Sequence, residues 1–271
     1  LDVLDLKAIS KAAQTYKVPF IVDNTVATPF LLNPIEHGAN IVIHSLTKYI
    51  GGNGTSLGGV IIDAGNFDWS NGKFPEFTEP SAGYHGLKYY EVLGAASFIA
   101  KVRIEGLRDL GASLSPFNAF QIIQGLETLA IRIKKHSENA LELAKWLQKR
   151  SEVAWVNYPG LISSKYYDLA QQYLSEGQSG IVTFGLKGGY DAAKKVADET
   201  QFFSLLANIG DTKSLIIHPA STTHQQLSEE QQITTGVTKD LIRLSVGLED
   251  IEDLKADLEG VFEKLPVQNL V

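Results

Sequence analysis

Apolar and polar positions recur in two different periods along the first third of the chain. In LDLKAISKAAQTYKV the apolar residues Leu4, Ile9, Ala12, Ala13 and Tyr16 follow helical spacing, and Pro19 closes the segment. PFIVD, NIVIHS and LGGVIID then read as three short strands, apolar on consecutive positions instead of every second one. A strand with no polar face is covered on both sides. Such runs, separated by helices or loops, predict an α/β fold with a mostly parallel sheet and helices on both faces. Further on, DLGASLSPFNAFQIIQGLETLAIRIKKHSENALELAKWLQKR carries helical periodicity through one or two long helices. Ser115-Pro116 suits a helix start there, with Pro116 at the first helical position.

After Arg150 the segments shorten. VAWVNYP, GIVTFGLKG, SLIIHP and LIRLSVG predict strands, and SKYYDLAQQYL, DAAKKVADETQFFSLLA and LEDIEDLKADLEGVFEKL predict helices between and after them. The last helix carries Leu248, Ile251, Leu254, Leu258, Val261 and Leu265 along one face. The expectation is the C-terminal part of a larger domain over residues 1–124 and a smaller C-terminal α/β domain over 125–271, with a long helix bridging them from near Gly125. No internal repeat or low-complexity segment interrupts this order.

Composition narrows the function classes. Among 271 residues, 24 Lys and Arg stand against 31 Asp and Glu, a net charge of −7, and the basic residues are dispersed. That argues against a nucleic-acid footprint and against an anionic membrane surface. No uncharged apolar run reaches spanning length and LDVLDLKAIS is no signal peptide, so the expected location is the cytoplasm. With no Cys, disulfides and thiolate metal sites are excluded. With no Met, Leu1 is not a translation start, and the chain reads as a fragment, a processed product or an engineered form.

Several catalytic patterns are nearly complete and fail. Ser45-Leu46-Thr47-Lys48 satisfies S-x-x-K, but the partner motifs S-D-N and K-T-G are missing. GGNGTSLGG has Leu57 where a dinucleotide fingerprint needs its last glycine, and no lysine follows Gly59 as a phosphate loop would require. His218 and His224 lack a third ligand at a helical spacing, so no metal is expected.

One arrangement survives. PFIVD delivers Asp23 at its C-terminal end, and NIVIHS delivers Ser45, Thr47 and Lys48 at its own. In a parallel-rich sheet these ends share the edge where ligands bind. A lysine beside two hydroxyls and facing a carboxylate fits a pyridoxal phosphate site. Lys48 would form the Schiff base, Asp23 would keep the pyridine nitrogen protonated, and Ser45 and Thr47 would donate to the phosphate. On the pattern alone another reading stays open, in which Asp23 caps the following turn and Lys48 is a solvated surface residue.

VDNT, ANIVIHSLTKYIGGNGT and LIRLSVGLED resemble the Cys/Met-metabolism family of pyridoxal-phosphate enzymes, and the resemblance runs from about Leu6 to Leu265. It implies the aspartate-aminotransferase-type fold (fold type I) and pyridoxal 5'-phosphate as cofactor. It also implies Lys48 as the cofactor-bearing, catalytic lysine, Asp23 as the partner of the ring nitrogen, and Ser45 and Thr47 as phosphate ligands. Arg243 matches the family arginine that binds the substrate α-carboxylate. Asn208, in LLANIGDTKSLIIHPASTTH, together with GYHGLKYYE, resembles the O-acetylhomoserine sulfhydrylase branch, with Asn208 orienting Lys48 or the substrate amino end. The implied reaction is γ-replacement on an O-acyl-L-homoserine by sulfide or a thiol. The alternatives are a γ-lyase or cystathionine synthase of the same family, or an inactive assembly module. A homo-oligomer, a dimer of dimers, is implied as well. The family's N-terminal portion has no counterpart before Leu1, and is expected to be cleaved, disordered or supplied as a separate chain; by itself this chain is expected to be inactive.

Overall fold

The computed structural model describes residues 2–266, so the outermost ends of the two expected domains, Leu1 and residues 267–271, lie outside it. Helix α1 (Leu6–Thr15) starts where the Asp5 side chain accepts the Ala8 N–H at 3.1 Å. Its inner face is set by Leu6 and Ser10, with Ile9 and Ala13 packed alongside. Leu4, Ala12 and Tyr16, expected on that face, are exposed. Leu4 precedes the cap and Tyr16 follows the last helical turn, where the 3.6-residue period no longer governs direction. Ala12, six residues from Leu6, falls on the far side of the cylinder.

Strands β1 (Ile21–Asp23) and β2 (Ile41–Ser45) pair in parallel, and β3 (Gly59–Asp63) pairs antiparallel to β2. The antiparallel pairing has a simple cause. Residues 46–58 hold one wide turn and a loop, with no crossover helix to carry the chain back for a parallel partner, and they return it directly to the neighbouring edge. One face of this sheet packs Val22 and Val42 against α1. The other packs Ile41 and Ile43 on an aromatic cluster that includes Trp69, Phe77 and Tyr89, where Trp69 stacks on Phe98 at 5.1 Å. The GYHGLKYYE stretch lies in this irregular region.

The long helical stretch is two helices, α2 (Pro116–Glu127) and α3 (Leu129–Leu147), parted at Thr128. Ser115 caps α2 by accepting the Asn118 N–H at 3.1 Å, with Pro116 in the first turn as expected. Beyond it a second sheet holds β4 (Val153–Asn157), β5 (Ile181–Leu186), β6 (Ser204–Leu205), β7 (Leu215–Ile217) and β8 (Leu241–Ser245), in the order β4-β5-β8-β7-β6. All pairings here are antiparallel except β6 with β7. Helices α4 (Tyr167–Tyr173), α5 (Gly189–Glu199) and α6 (Ile251–Phe262) accompany it. Every residue of β5 is buried, and Leu143, Leu147, Phe184, Ile242, Leu254 and Leu258 close one core. In α6 the expected stripe is confirmed at Leu254, Leu258 and Val261, with Ile251 and Leu265 packed beside it; Leu248 precedes the helix.

Helix α5 is shorter than its sequence suggests. It stops at Glu199, and the segment expected to continue it turns into β6. Asp257 of α6 causes the stop: its carboxylate accepts the N–H groups of Gln201 (2.8 Å), Phe202 (2.9 Å) and Phe203 (3.0 Å). A further cluster, including Tyr49, Ile50, Ile122, Ile133 and Ile181, joins the segment just after β2 to the two long helices and to β5. Among the described residues no helix is long and apolar enough to cross a membrane.

Candidate active site

At Ser45 the chain leaves β2 and turns at once into a single wide helical turn, Leu46–Ile50. Tyr49 and Ile50 are buried in the joining cluster, and Lys48 departs from helical backbone angles (φ −87°, ψ −132°). The turn is closed by Gly51 N–H to the Leu46 carbonyl (2.9 Å) and Gly52 N–H to the Lys48 carbonyl (2.8 Å). Anchoring on either side thus fixes where the Lys48 side chain starts.

The Lys48 ammonium donates to Asn208 Oδ1. The main-chain oxygen of the same Asn208 accepts from Arg243 Nη2 at 3.1 Å. One asparagine therefore touches two cations, one from the turn after β2 and one from β8, and among the described residues neither is paired with a carboxylate. Burial first, and the charge of Arg243 second, push the Lys48 amine below the usual lysine range. Burial also lowers Arg243, with Tyr49 opposing, and Arg243 Nε is buried without a hydrogen-bond partner. Two loops are stitched together to hold Asn208. Thr212 N–H donates to the Gly52 carbonyl at 2.8 Å. At Gly54 (φ +62°) a Cβ would stand 2.8 Å from Asn208 Nδ2, so the close approach needs glycine.

Asp23 and Ser45 lie on one face of the first sheet, because Asp23 pairs with Ile43 and Ser45 is two residues further on. Asp23 Oδ1 accepts the Thr25 N–H at 3.0 Å, so this carboxylate does cap the turn after β1. No contact joins it to Lys48 among the described residues. Thr25 Oγ1 in turn accepts the Ser45 N–H at 2.8 Å and ties the two strand ends together. The Thr47 hydroxyl is engaged with Gly58, whose N–H it accepts at 3.1 Å. Lys48, Asn208 and Arg243 are thus in one group, Asp23 and Ser45 in a neighbouring one, and Thr47 points its hydroxyl at the β2–β3 loop. The ring nitrogens of His218 contact Ser221 and the Lys239 carbonyl, both at 2.8 Å, which is a structural role.

Two contributors were missed from the sequence. Thr25 had the signal of a hydroxyl two residues after the strand-end aspartate. Arg132 had none: in AIRIKKHSE it reads as one more surface charge, yet it is buried against the Lys48 turn. A cavity of about 320 Å³ beside that turn is lined by residues including Thr47, Thr55, Ser56, Arg132 and Thr212.

The sequence model of the Cys/Met metabolism PLP-dependent enzymes matches residues 1–263. The chain belongs to that family. It is 55% identical to an O-acetyl-L-homoserine sulfhydrylase of Leptospira meyeri, over 98% of this chain and 62% of that protein. It is 50% identical to O-acetyl-L-homoserine sulfhydrylase 1 of Thermus thermophilus, over 96% and 62%. Among solved structures, a protein described as an O-acetylhomoserine (thiol)-lyase from Campylobacter jejuni superposes with a TM-score of 0.93 at 47% identity, over 97% of this chain and 63% of that one. That structure carries N'-pyridoxyl-lysine-5'-monophosphate. The fold is therefore the α/β fold of this family. The chain spans less than two thirds of the length of these relatives.

Proposed function

We propose that this chain is the lysine-bearing part of an O-acetylhomoserine sulfhydrylase, a PLP-dependent transferase. It would replace the acyloxy group at Cγ of an O-acyl-L-homoserine by sulfide or a thiol, giving homocysteine or methionine. The observation that carries the reading is the grouping of Lys48, Asn208 and Arg243. Lys48 is partly buried and faces a neutral amide oxygen and a second cation, which favours losing its proton.

The residues fit the cofactor. Lys48 would hold it through the amine, Asp23 at the ring nitrogen through the oxygen that Thr25 leaves free, and Ser45 and Thr47 at the phosphate, once the Thr47 hydroxyl turns from Gly58. Bound pyridoxal 5'-phosphate supplies an electron sink for negative charge at the substrate Cα. The chain's own side chains supply the rest. Lys48 Nζ takes the Cα proton and moves protons at Cβ, which permits acetate to leave Cγ and sulfide to add there. Arg243 holds the α-carboxylate with two donors, and its buried, unpartnered Nε suits that acceptor. Asn208 keeps the Lys48 amine beside Arg243, where the substrate amino acid would sit. Division into residues 1–124 and 125–271, a homotetramer, and a cytoplasmic location belong to the same proposal.

The test is product analysis of the full-length enzyme with O-acetylhomoserine as probe. Homocysteine formed only when sulfide is present supports the reading. Release of 2-oxobutyrate and ammonia, with or without sulfide, would replace it by a γ-lyase, and cystathionine formed from cysteine would replace it by a synthase. Failure of added pyridoxal 5'-phosphate to give a visible absorbance band would remove the cofactor itself.

A further inference from the structure

Arg132 is a buried charge that the reaction above leaves unused. It lies on α3, 8% exposed, and among the described residues it meets no carboxylate. Its Nη1 donates to the Tyr49 carbonyl (2.7 Å), Nη2 to the carbonyls of Ile50 (3.0 Å) and Gly125 (2.7 Å), and Nε to the Thr128 hydroxyl (3.0 Å). A guanidinium out of water is tolerated only when its donors are met in this way.

Three of the acceptors are carbonyl oxygens from two chain segments. Tyr49 and Ile50 belong to the wide turn that carries Lys48. Gly125 is in the last turn of α2, where helix carbonyls carry partial negative charge. The segments nearly touch: a Cβ on Gly125 would stand 2.3 Å from the Gly51 oxygen and 2.7 Å from the Ile50 oxygen. No side chain fits between the two backbones. The guanidinium bridges their oxygens from one side, and its planar fork dictates their spacing.

We infer that Arg132 is a positioning residue: its clamp on the Tyr49 and Ile50 carbonyls fixes the turn that aims Lys48 Nζ at Asn208 and Arg243. It touches no substrate. It acts only through where the Lys48 main chain is held, and the inference rests on reading Lys48 as the reactive amine. Lysine in its place keeps the charge and loses the fork, so the turn shifts while the burial of charge stays similar.

The experiment compares Arg132→Lys with wild type in the full-length enzyme loaded with pyridoxal 5'-phosphate. A misplacement on the order of 1 Å costs about a hundredfold in rate, so kcat should fall by about that factor while KM changes little. The acid limb of the kcat–pH profile should move to higher pH, because Lys48 slips away from the burial and the Arg243 charge that lower its proton affinity. In the cofactor-free enzyme, amide exchange at Gly51 and Gly52 should speed up, since those N–H groups close the turn. Asn139→Ala is the control. Asn139, on the same helix, donates to the carbonyls of Gly247 (3.0 Å) and Glu249 (2.9 Å), and its loss should lower Tm without moving any of the three readouts.

The inference is overturned if Arg132→Lys lowers Tm as Asn139→Ala does but keeps wild-type kcat, pH limb and exchange at Gly51 and Gly52. Should Arg132→Lys not fold, Thr128→Val removes the Nε acceptor, together with that hydroxyl's own bond to the Gly125 carbonyl (3.2 Å). The loss of one hydrogen bond to a charged group then predicts a drop in kcat of about tenfold, and unchanged readouts overturn the inference. If wild type takes up no cofactor at Lys48, the functional reading fails, while the exchange comparison still decides whether Arg132 holds the turn.

Discussion

The two sheets of this chain are finished to different degrees. In the second, β5 is buried along its whole length, and Phe184, Ile242, Leu244, Leu254 and Leu258 are each at 0% exposure. In the first, Ile21, Ile61 and Ile62 stay 48%, 39% and 38% exposed, and α2 presents Phe117 and Phe120 at 68% and 56%. The candidate chemistry is distributed the opposite way. Asp23, Ser45, Thr47 and Lys48 sit on the unfinished sheet, and the finished half lends Arg243, Asn208 and the anchors of the Lys48 turn. Tyr49 shows the dependence most directly: its hydroxyl accepts the Gly180 N–H at 3.2 Å, just before β5. Stability should therefore be read mainly in one half and reactivity in the other.

The largest test of that separation is Lys48→Ala. It should abolish both γ-replacement and the visible band of lysine-bound cofactor in the full-length enzyme, while Tm stays near wild type because the half-buried amine anchors no core. Survival of a borohydride-reducible cofactor adduct in the variant would sink the assignment of Lys48.

Next comes a matched pair of truncations. Leu258→Ala empties a fully buried position in the second core and should cost about 2–5 kcal/mol in urea unfolding. Ile61→Ala, on a half-open strand, should cost less than about 1.5 kcal/mol. Equal losses would show that the first sheet carries as much of the stability as the second, and the contrast between them would collapse.

Arg243→Lys crosses the divide, a residue of the finished sheet with a task in the chemistry. Losing the two-donor contact to a carboxylate should lower kcat/KM by about thirtyfold to a thousandfold, equivalent to roughly 2–4 kcal/mol. The cofactor band should be unchanged, since no substrate is involved in it. Full kcat/KM with a lower Tm would make Arg243 a structural residue and move the carboxylate clamp elsewhere.

How much of this was legible in the sequence follows the range of the forces involved. Local terms were readable: the Ser115 cap with Pro116, the apolar runs that became β1, β2 and β3, and the stripe on α6. The Lys48, Asn208 and Arg243 group was legible only through motif resemblance, because nothing local ties residues 160 and 195 positions from Lys48 to it. Strand direction was not readable, since an apolar run is the same read either way, and β3 turned out antiparallel. The end of α5 was hidden because QFFSLLA continues a helical pattern, whereas the three N–H groups held by Asp257 come from a residue more than fifty positions away. Arg132 was hidden for a similar reason: its partners Tyr49 and Ile50 lie 83 and 82 residues off.

The last expected effect concerns the seam between the two halves. His136 packs edge-on against Tyr49 with ring centroids 5.2 Å apart, and its Nδ1 meets the Val246 carbonyl at 2.6 Å. Burial pushes its pKa down to about 4, with a further lowering from Arg132, against the upward pull of the Val246 carbonyl and Asp211. The unfolded chain then binds a proton between about pH 6.5 and pH 4 that the folded chain refuses, so stability rises with pH across that window and is lost as pH falls through it. The full swing is at most about 3 kcal/mol, complete only below pH 4. Urea unfolding followed from pH 7 to pH 4 should show this slope in wild type and a shallower one in His136→Gln, after the fixed cost of the lost carbonyl contact is subtracted. Two of the chain's three tryptophans make it a test of the seam once Trp155, on β4, is replaced by Phe. Trp69 reports the first sheet's aromatic cluster and Trp146 the second core, packed on Phe262 at 5.9 Å. If acid weakens the join before either core, the two tryptophans should report separate transitions near pH 4 and one shared transition at pH 7. A single transition at both pH values, in wild type and His136→Gln alike, would mean that the halves unfold as one unit and that the difference in their finish has no thermodynamic expression.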